Sequence, residues 1–240
     1  MAGQVEGRNA VLEAVRSGRA QKVYLSHAAS GKTITEIQLL CQDLKVPLVR
    51  LTNNEIIKMA KTDKHQGILA QTKDLPHKTL EDIINLKEPL VIVLDHLQDP
   101  HNLGAILRTA EAANVDAVII PADRSVSIGP GTIKASAGAI EYVPLITVTN
   151  IAKTIDKLKE GNIWVVGTAD KAEKSYTEID FRGRLAIVIG SEGEGISRLV
   201  KEKCDFLAKI PMHGKISSLN ASVATGIILY EALRQRDLKG

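Results

Sequence analysis

Two stretches, LVIVLD at 90–95 and LAIVI at 185–189, are apolar at almost every position instead of at alternate ones. A strand with one face in water alternates. An unbroken apolar run must be covered on both faces, which is the situation of strands in a parallel sheet flanked by helices. Further strand candidates are AVII at 117–120, Tyr142–Leu145 and WVVG at 164–167, with helical patterns over Leu103–Ala113 and Ile151–Lys159. That alternation predicts a parallel α/β fold. The apolar run before Pro211 reads as the end of another buried strand, because proline cannot continue a central ladder.

The first 72 residues describe a separate, smaller α/β module. Helices are predicted over Val5–Arg16, Ile34–Leu44 and Asn53–Lys61, and strands over Gln21–Ser26, Pro47–Leu51 and Gly67–Gln71. Thr72–Pro89 is polar, carries two prolines and holds one short helical pattern at Leu80–Leu86. The expected division is therefore residues 1–72, a linker at 73–88 and a second domain at 89–240. Residues 1–71 hold 10 Lys or Arg against 6 Asp or Glu, an excess of +4 in a chain whose net charge is +3. That is a modest footprint for a phosphate backbone, and a solvated surface explains the charge equally well.

Cys41 and Cys204 stand far apart, with no zinc-ligand spacing, so buried free thiols are expected, with no disulfide framework and no metal. No apolar run reaches the ~20 residues that span a bilayer, and MAGQVEGRN lacks a signal-peptide core, so no membrane association and a cytoplasmic location are expected.

Three distant segments carry the chemistry: LDHLQDPHNLGAILRTAEAA at 94–113, LAIVIGSEGEGISRL at 185–199 and IPMHGKISSLN at 210–220. In the third, Ser217 and Ser218 are placed to cap a helix with apolar residues at Leu219, Val223, Ile227 and 229–233. Its first turns are made of small residues that allow close approach. Together, and in this order, the segments resemble the three motifs of the SpoU or TrmH family of RNA ribose 2′-O-methyltransferases, in the SPOUT superfamily. The resemblance covers about Leu90 to the C-terminus. The N-terminal module, notably EGRNAVLEA and His65-Gln66-Gly67, resembles the L30e-like substrate-binding domain that precedes the catalytic domain in this family.

The resemblance implies a SPOUT methyltransferase domain with a deep trefoil knot, which general folding rules would not suggest. It implies S-adenosylmethionine as cofactor, RNA as substrate and a homodimer with the active site at its interface. Exposed Ile227, Leu229 and Leu233 would suit that interface, and would suit a monomer's core as well.

Asn102, Arg108, Glu192, Ser218 and Asn220 match the family's catalytic positions. A guanidinium is a poor base, so Arg108 is expected to stabilise the developing 2′-alkoxide or grip the adjacent phosphate. A surface salt bridge to Glu111 is its plainer role. Asn102 is expected before the helix, as a cap or as an orienting group. Glu192 is expected to pair with Arg108 or contact RNA, with Glu194 the competing carboxylate. By resemblance the cofactor is held at Thr168, Gly190, Gly195, Ile210 and Leu219, with Met212 lining the pocket or merely packing.

GSEGEG runs G-x-x-G-x-G, not the dinucleotide G-x-G-x-x-G, and Asp205 is a poor match for a ribose-binding acid, which disfavours a nicotinamide enzyme. GSEGEGISRLVKEKCD and the two-domain layout resemble most closely the branch that methylates guanosine in 23S rRNA. A tRNA 2′-O-methyltransferase and a non-catalytic RNA-binding assembly factor are the alternatives. His65 is expected to be a turn residue rather than an RNA contact, while Arg8, Lys32, Lys61 and Lys64 are candidate RNA contacts.

Overall fold

The structure, a computed structural model, describes residues 3–75, 77–123, 129–215 and 218–237. It contains two sheets that share no strand. The first is built from β1 (Gly3–Glu6), β2 (Ala20–Ser26), β3 (Leu48–Leu51) and β4 (Ile68–Thr72), in the order β1-β4-β2-β3. Its helices are α1 (Arg8–Arg16), α2 (Lys32–Asp43) and α3 (Asn53–Met59). The helix predicted from Val5 is too long at its start. Gly7 at φ 91° breaks it, and Val5 lies in β1 opposite Ala70. A four-residue edge strand has too little pattern to be read locally.

After α4 (Leu80–Ile84) the chain enters β5 (Leu90–Asp95), α5 (Pro100–Ala112), β6 (Ala117–Pro121), α6 (Pro130–Ala135), β7 (Leu145–Val148), α7 (Ile151–Glu160) and β8 (Trp164–Thr168). It continues through β9 (Lys174–Ser175), β10 (Leu185–Gly190), α8 (Arg198–Lys203), β11 (Phe206–Lys209) and α9 (Ala221–Asp237). These strands form a seven-stranded sheet, β7-β6-β5-β10-β8-β11-β9, in which every pairing is parallel. The expected parallel α/β architecture is therefore the observed one.

The two faces of β5 show why its sequence does not alternate. Leu90, Ile92 and Leu94 pack with Leu103, Ile106 and Leu107 of α5 and with Ile228 and Leu229 of α9. Val91 and Val93 pack on the other side with Leu80 and Ile83 of α4 and Ile155 and Leu158 of α7. The polar stretch after β4 is thus no free tether, because α4 is part of a core.

The strand expected at Tyr142–Leu145 lies three residues later. Gly138 turns at φ 100° into a 3-10 turn at Ala139–Glu141, and the Pro144 carbonyl already accepts from Val118 N–H, so pairing with β6 starts at Leu145.

The two sheets are joined by a buried ion pair. Arg19, between α1 and β2, donates from both Nε and Nη2 to Glu141, and its Nη1 donates to Thr72 Oγ1 at 2.9 Å and to the Lys73 carbonyl. Both side chains are at most 9% exposed. At the rim of the same seam, Tyr142 donates to Glu13 at 2.6 Å.

Cys41 is buried and Cys204 half-buried, and burial pushes their thiols up to about 11 and about 12, so both are poor nucleophiles at neutral pH. Among the described residues no helix is long and apolar enough to cross a membrane, and no His, Cys, Asp and Glu cluster could hold a metal ion.

Candidate functional site

Strands β5 and β10 are neighbours: from β5 the chain runs outward through β6 and β7, then reverses to β8 on the far side and returns through β10 to the centre. Ligands of open α/β sheets bind at such a reversal, beyond the carboxyl ends of the strands. The last pair in this register is Asp95 opposite Gly190. A crevice opens directly above it.

The Gly190–Gly195 loop forms one wall. Ser191 and Gly195 exchange both backbone hydrogen bonds, at 3.1 and 3.0 Å, closing a tight turn with Gly193 at φ 91° and Gly195 at φ 68°. A Cβ on residue 190 would lie 2.0 Å from the Gly195 carbonyl carbon, so only glycine fits under this turn. The Gly195 amide is consumed inside the turn; its contribution is shape, not a free donor.

Asp95, fully buried at the end of an apolar strand, anchors the same loop from below. Its Oδ2 accepts from Ser197 N–H at 2.7 Å, and its Oδ1 lies 2.6 Å from His96 Nδ1, too far off line for a hydrogen bond. His96 takes up a left-handed conformation at φ 61°. The sequence reading passed over both residues, although a carboxylate closing a run of five apolar residues was the available signal.

Helix α5 begins three residues earlier than predicted. Asp99 is its cap, accepting from His101 N–H at 2.9 Å, with Pro100 at the first helical position. Asn102 is therefore inside the first turn, 6% exposed. Its Nδ2 donates to Glu192 Oε1 at 2.9 Å. Asn220 Nδ2 donates to that same carboxylate oxygen and to Asn102 Oδ1, the latter at 2.9 Å.

Asn220 also caps α9, its Oδ1 accepting from the amides of Ser222 and Val223 at 2.9 and 3.3 Å. The cap was expected at Ser217 and Ser218. Ser217 lies outside the described residues, and Ser218 instead lines the cavity described next. One amide thus fixes a helix start with its oxygen and a carboxylate with its nitrogen.

Glu192 of this trio lines a cavity of about 390 Å³, within the ~300–1,000 Å³ usual for small-molecule sites. Thr168, Gly190, Gly195, Ile210 and Leu219 all line it, as do Glu192, Ser218 and Met212. Thr168 Oγ1 is already committed to the Val188 carbonyl at 3.2 Å. Asp170, Lys171 and Lys201, which sequence reasoning missed, add charge at its walls. Asp170 and Lys171 follow the carboxyl end of β8, a position that could have flagged them.

On the other side of the 191–197 loop a second hollow is lined by His96, Asp99, Asn102, Glu192 and Glu194. Ser191, Glu192 and Glu194 line both spaces and therefore stand on the partition between them.

Arg108 is not part of this assembly. Six residues after Asn102 on one helix is 600°, so the two side chains leave α5 about 120° apart. Arg108 is exposed and, among the described residues, has neither a hydrogen bond nor an ion pair; neither Glu192 nor Glu111 holds it. Asp205 sits at the opposite end of the sheet, where it accepts from Val165 N–H at 2.9 Å and pairs with Lys159. His65 is a turn residue, its Nδ1 accepting from Gly67 N–H at 3.0 Å.

The geometry can now be set beside known proteins. Residues 4–77 match the model for RNA 2′-O ribose methyltransferase substrate binding, and residues 89–230 match the SpoU rRNA methylase family. The 23S rRNA (guanosine-2′-O-)-methyltransferase RlmB of Pseudomonas putida is 42% identical over 92% of this chain and 91% of its own length. The crystal structure of AviRb, a SpoU methyltransferase from Streptomyces viridochromogenes in complex with AdoMet, superposes with a TM-score of 0.83 over 100% of this chain and 92% of that one, at 24% identity, a likeness of fold. An A. aeolicus TrmH/SpoU tRNA modifying enzyme, 33% identical with a TM-score of 0.59, covers 67% of this chain and 82% of its own. The crevice is thus built from the very segments that the methylase family model spans, and the chain belongs to the SpoU rRNA methylase family.

Proposed function

We propose that the protein transfers the methyl group of S-adenosylmethionine to a ribose 2′-hydroxyl of RNA, most specifically a guanosine of 23S rRNA. The observation that carries this is the closed trio of Asn102, Glu192 and Asn220, whose Glu192 lines the cavity together with Thr168, Gly190, Ile210 and Leu219. The cavity's chemistry suits the cofactor: Ile189, Ile210 and Leu219 offer flat apolar surface for an adenine, Glu192 and Asp170 offer negative charge to a sulfonium, and Lys171 and Lys201 offer cations to a carboxylate. When bound, the cofactor supplies an electrophilic methyl group.

The chain's own residues then act on the acceptor. Asn102 and Asn220 hold Glu192 in one orientation, so that it and Ser218 position the ribose. Arg108 stabilises the oxygen as it turns anionic, and the hydroxyl proton passes to solvent or phosphate.

Because Arg108 points away from its own chain's crevice, it serves the reaction in a homodimer whose active site lies at the interface. The contact we assign is the α9 stripe of Val223, Ile227 and Tyr230. Val223 and Tyr230 are 50% and 54% exposed, whereas Leu229, earlier considered for this role, is buried in the core. We assign the trefoil knot to the segment carrying β10, β11 and α9, and a cytoplasmic location to the protein. Residues 1–72 are taken as an L30e-like RNA-binding domain, 73–88 as a linker and 89–240 as the methyltransferase domain. An rRNA substrate is favoured over tRNA because the similarity to RlmB spans both domains, whereas that to the tRNA modifying enzyme covers 67% of the chain.

The test is incubation of the purified protein with methyl-labelled S-adenosylmethionine and unmodified 23S rRNA or tRNA transcripts, followed by mapping of 2′-O-methyl groups. Label at one guanosine of 23S rRNA is expected; label in tRNA alone would replace the substrate, and none in either would overturn the activity. Gly190→Ala is expected to weaken cofactor binding by more than about tenfold in calorimetry, because its methyl group forces the 191–195 turn open. Unchanged affinity would remove that turn from the cofactor site.

A further inference from the structure

Trp164 is the chain's one tryptophan, and it opens β8, an inner strand of the seven-stranded sheet between β10 and β11. The next three residues of that strand are buried. Trp164 itself is 57% exposed. Tryptophan is among the side chains that gain most from burial, so an exposed one on an otherwise covered strand is a cost that a ligand would offset. Phe206, at the start of β11, is also 40% exposed, whereas the chain's other phenylalanine, Phe181, is fully buried. The two exposed rings meet with centroids 5.7 Å apart and planes tilted by 39°, so Phe206 braces the indole without covering it.

Beside the indole is a hollow of about 310 Å³ lined by Lys159, Asn162, Ile163, Trp164 and Asp205. Its charges are already balanced. Lys159 Nζ pairs with Asp205 Oδ1 at 2.7 Å and donates to the Lys203 carbonyl at 3.1 Å, while Asp205 Oδ2 accepts from Val165 N–H. Lys203 in turn pairs with Asp156 at 2.6 Å. Arg184, whose carbonyl accepts from Trp164 N–H, spends its guanidinium on the Ile84, Leu86 and Gly161 carbonyls. Asn162 differs from all of these. It is exposed in the turn after α7, at φ 57°, and its side-chain amide has no hydrogen bond among the described residues. The hollow thus offers one flat π-face, one free amide and no unpaired charge among its lining residues.

That combination suits an aromatic base better than a phosphate or a protein. A planar ring system stacked on the indole gains contact whatever its identity, and brings its hydrogen-bonding edge to the Asn162 amide. A protein partner would have to cover ~800 Å² of each surface, far more than one hollow of this size presents. Proteins recognise RNA largely through unpaired bases stacked on aromatic rings. Trp164 pairs with Leu185 of β10, five residues before Gly190 at the crevice, so the rings lie about 16 Å from the crevice along the sheet, at ~3.3 Å per residue. A short single strand spans that distance.

We propose that Trp164, braced by Phe206 and flanked by Asn162, is a stacking platform for an unpaired base of the substrate RNA, at the end of the sheet opposite the crevice. The inference rests on RNA being the substrate. It places an RNA contact on the methyltransferase domain itself, and one that gains nothing from phosphate charge.

The test titrates the full-length protein with an unmodified 23S rRNA transcript. Because Trp164 is the sole tryptophan, its emission reports this position alone, and saturating RNA is expected to quench it. Filter binding between about 50 and about 200 mM salt supplies Kd as a second readout. Trp164→Leu, which keeps apolar bulk but loses the flat ring, is expected to weaken RNA binding about 5- to 150-fold, the usual cost of one stacked base. The slope of log affinity against log salt should stay that of the wild type, because no phosphate contact is lost. Trp164→Tyr should keep most of the affinity. Asn162→Gly, which accepts the positive φ and leaves the rings untouched, should weaken binding about 2- to 10-fold and keeps the test open should Trp164→Leu melt early. S-adenosylmethionine affinity should be unchanged in all three variants. Unquenched emission at saturating RNA, or wild-type RNA affinity in both Trp164→Leu and Asn162→Gly, would overturn the platform while leaving RNA methylation standing. Emission that shifts with protein concentration alone would overturn it too, by making the ring pair a contact between copies of the chain. A wild type that binds no RNA would overturn the substrate assignment itself, and the platform with it.

Discussion

Arg108→Ala is expected to reduce methyl transfer by about 10²- to 10³-fold while leaving the fold and cofactor affinity intact. The size follows from what removing one preorganised donor to a developing oxyanion usually costs. The selectivity follows from the structure: Arg108 is exposed and lacks an intrachain partner among the described residues, so its removal takes away no packing and no ion pair. Surface changes of that kind shift stability by no more than about 0.5 kcal/mol. Arg108→Lys should restore little, because an ammonium keeps the charge but loses the planar fork that can bind an alkoxide and a phosphate together. Single-turnover transfer from labelled cofactor, with calorimetry alongside, separates chemistry from binding. Retained turnover would remove Arg108 from the mechanism.

The second large effect is on stability. Glu141→Ala should destabilise the protein by about 3–5 kcal/mol, because it strands the Arg19 guanidinium in a buried site. In a chain of this size that corresponds to a fall in Tm of roughly 10 °C. Replacing both partners, as Arg19→Met with Glu141→Leu, should recover much of the loss, since an apolar pair carries no desolvation penalty. The pair joins residues 122 positions apart, Arg19 just before β2 and Glu141 in the 3-10 turn, so the single variant should also loosen the seam. Limited proteolysis should cut it sooner than the wild type near residues 73–79. A Glu141→Ala melting point within about 2 °C of the wild type would show that the ion pair does not hold the seam.

Some of the expected site was legible and some was not, and the division follows sequence separation. Thr168, Gly190, Gly195, Ile210 and Leu219 were expected together at a cofactor site by resemblance, and all five line one cavity, with Ser218 beside them. The partner of Glu192 was not legible. Arginine was the expected one by charge, but Asn102 and Asn220, 90 and 28 residues away, took the carboxylate. Helix starts failed in the same way: Asp99 and Asn220 out-competed the nearer candidates because proline and a tertiary bond set where each helix could begin.

Local chemistry alone determined that this chain builds a parallel sheet, since a run such as LVIVLD can be satisfied only with apolar cover on both faces. Which segments meet the crevice was legible only through the resemblance of the three motifs to the SpoU or TrmH family, not from local chemistry. Only the folded chain decided that Asn102 and Asn220 take the Glu192 carboxylate, which leaves Arg108 without an intrachain partner among the described residues, and that Asp95 clamps the glycine turn. Those outcomes depend on distances through space between residues far apart along the chain, and hydrophobic periodicity carries no information about them.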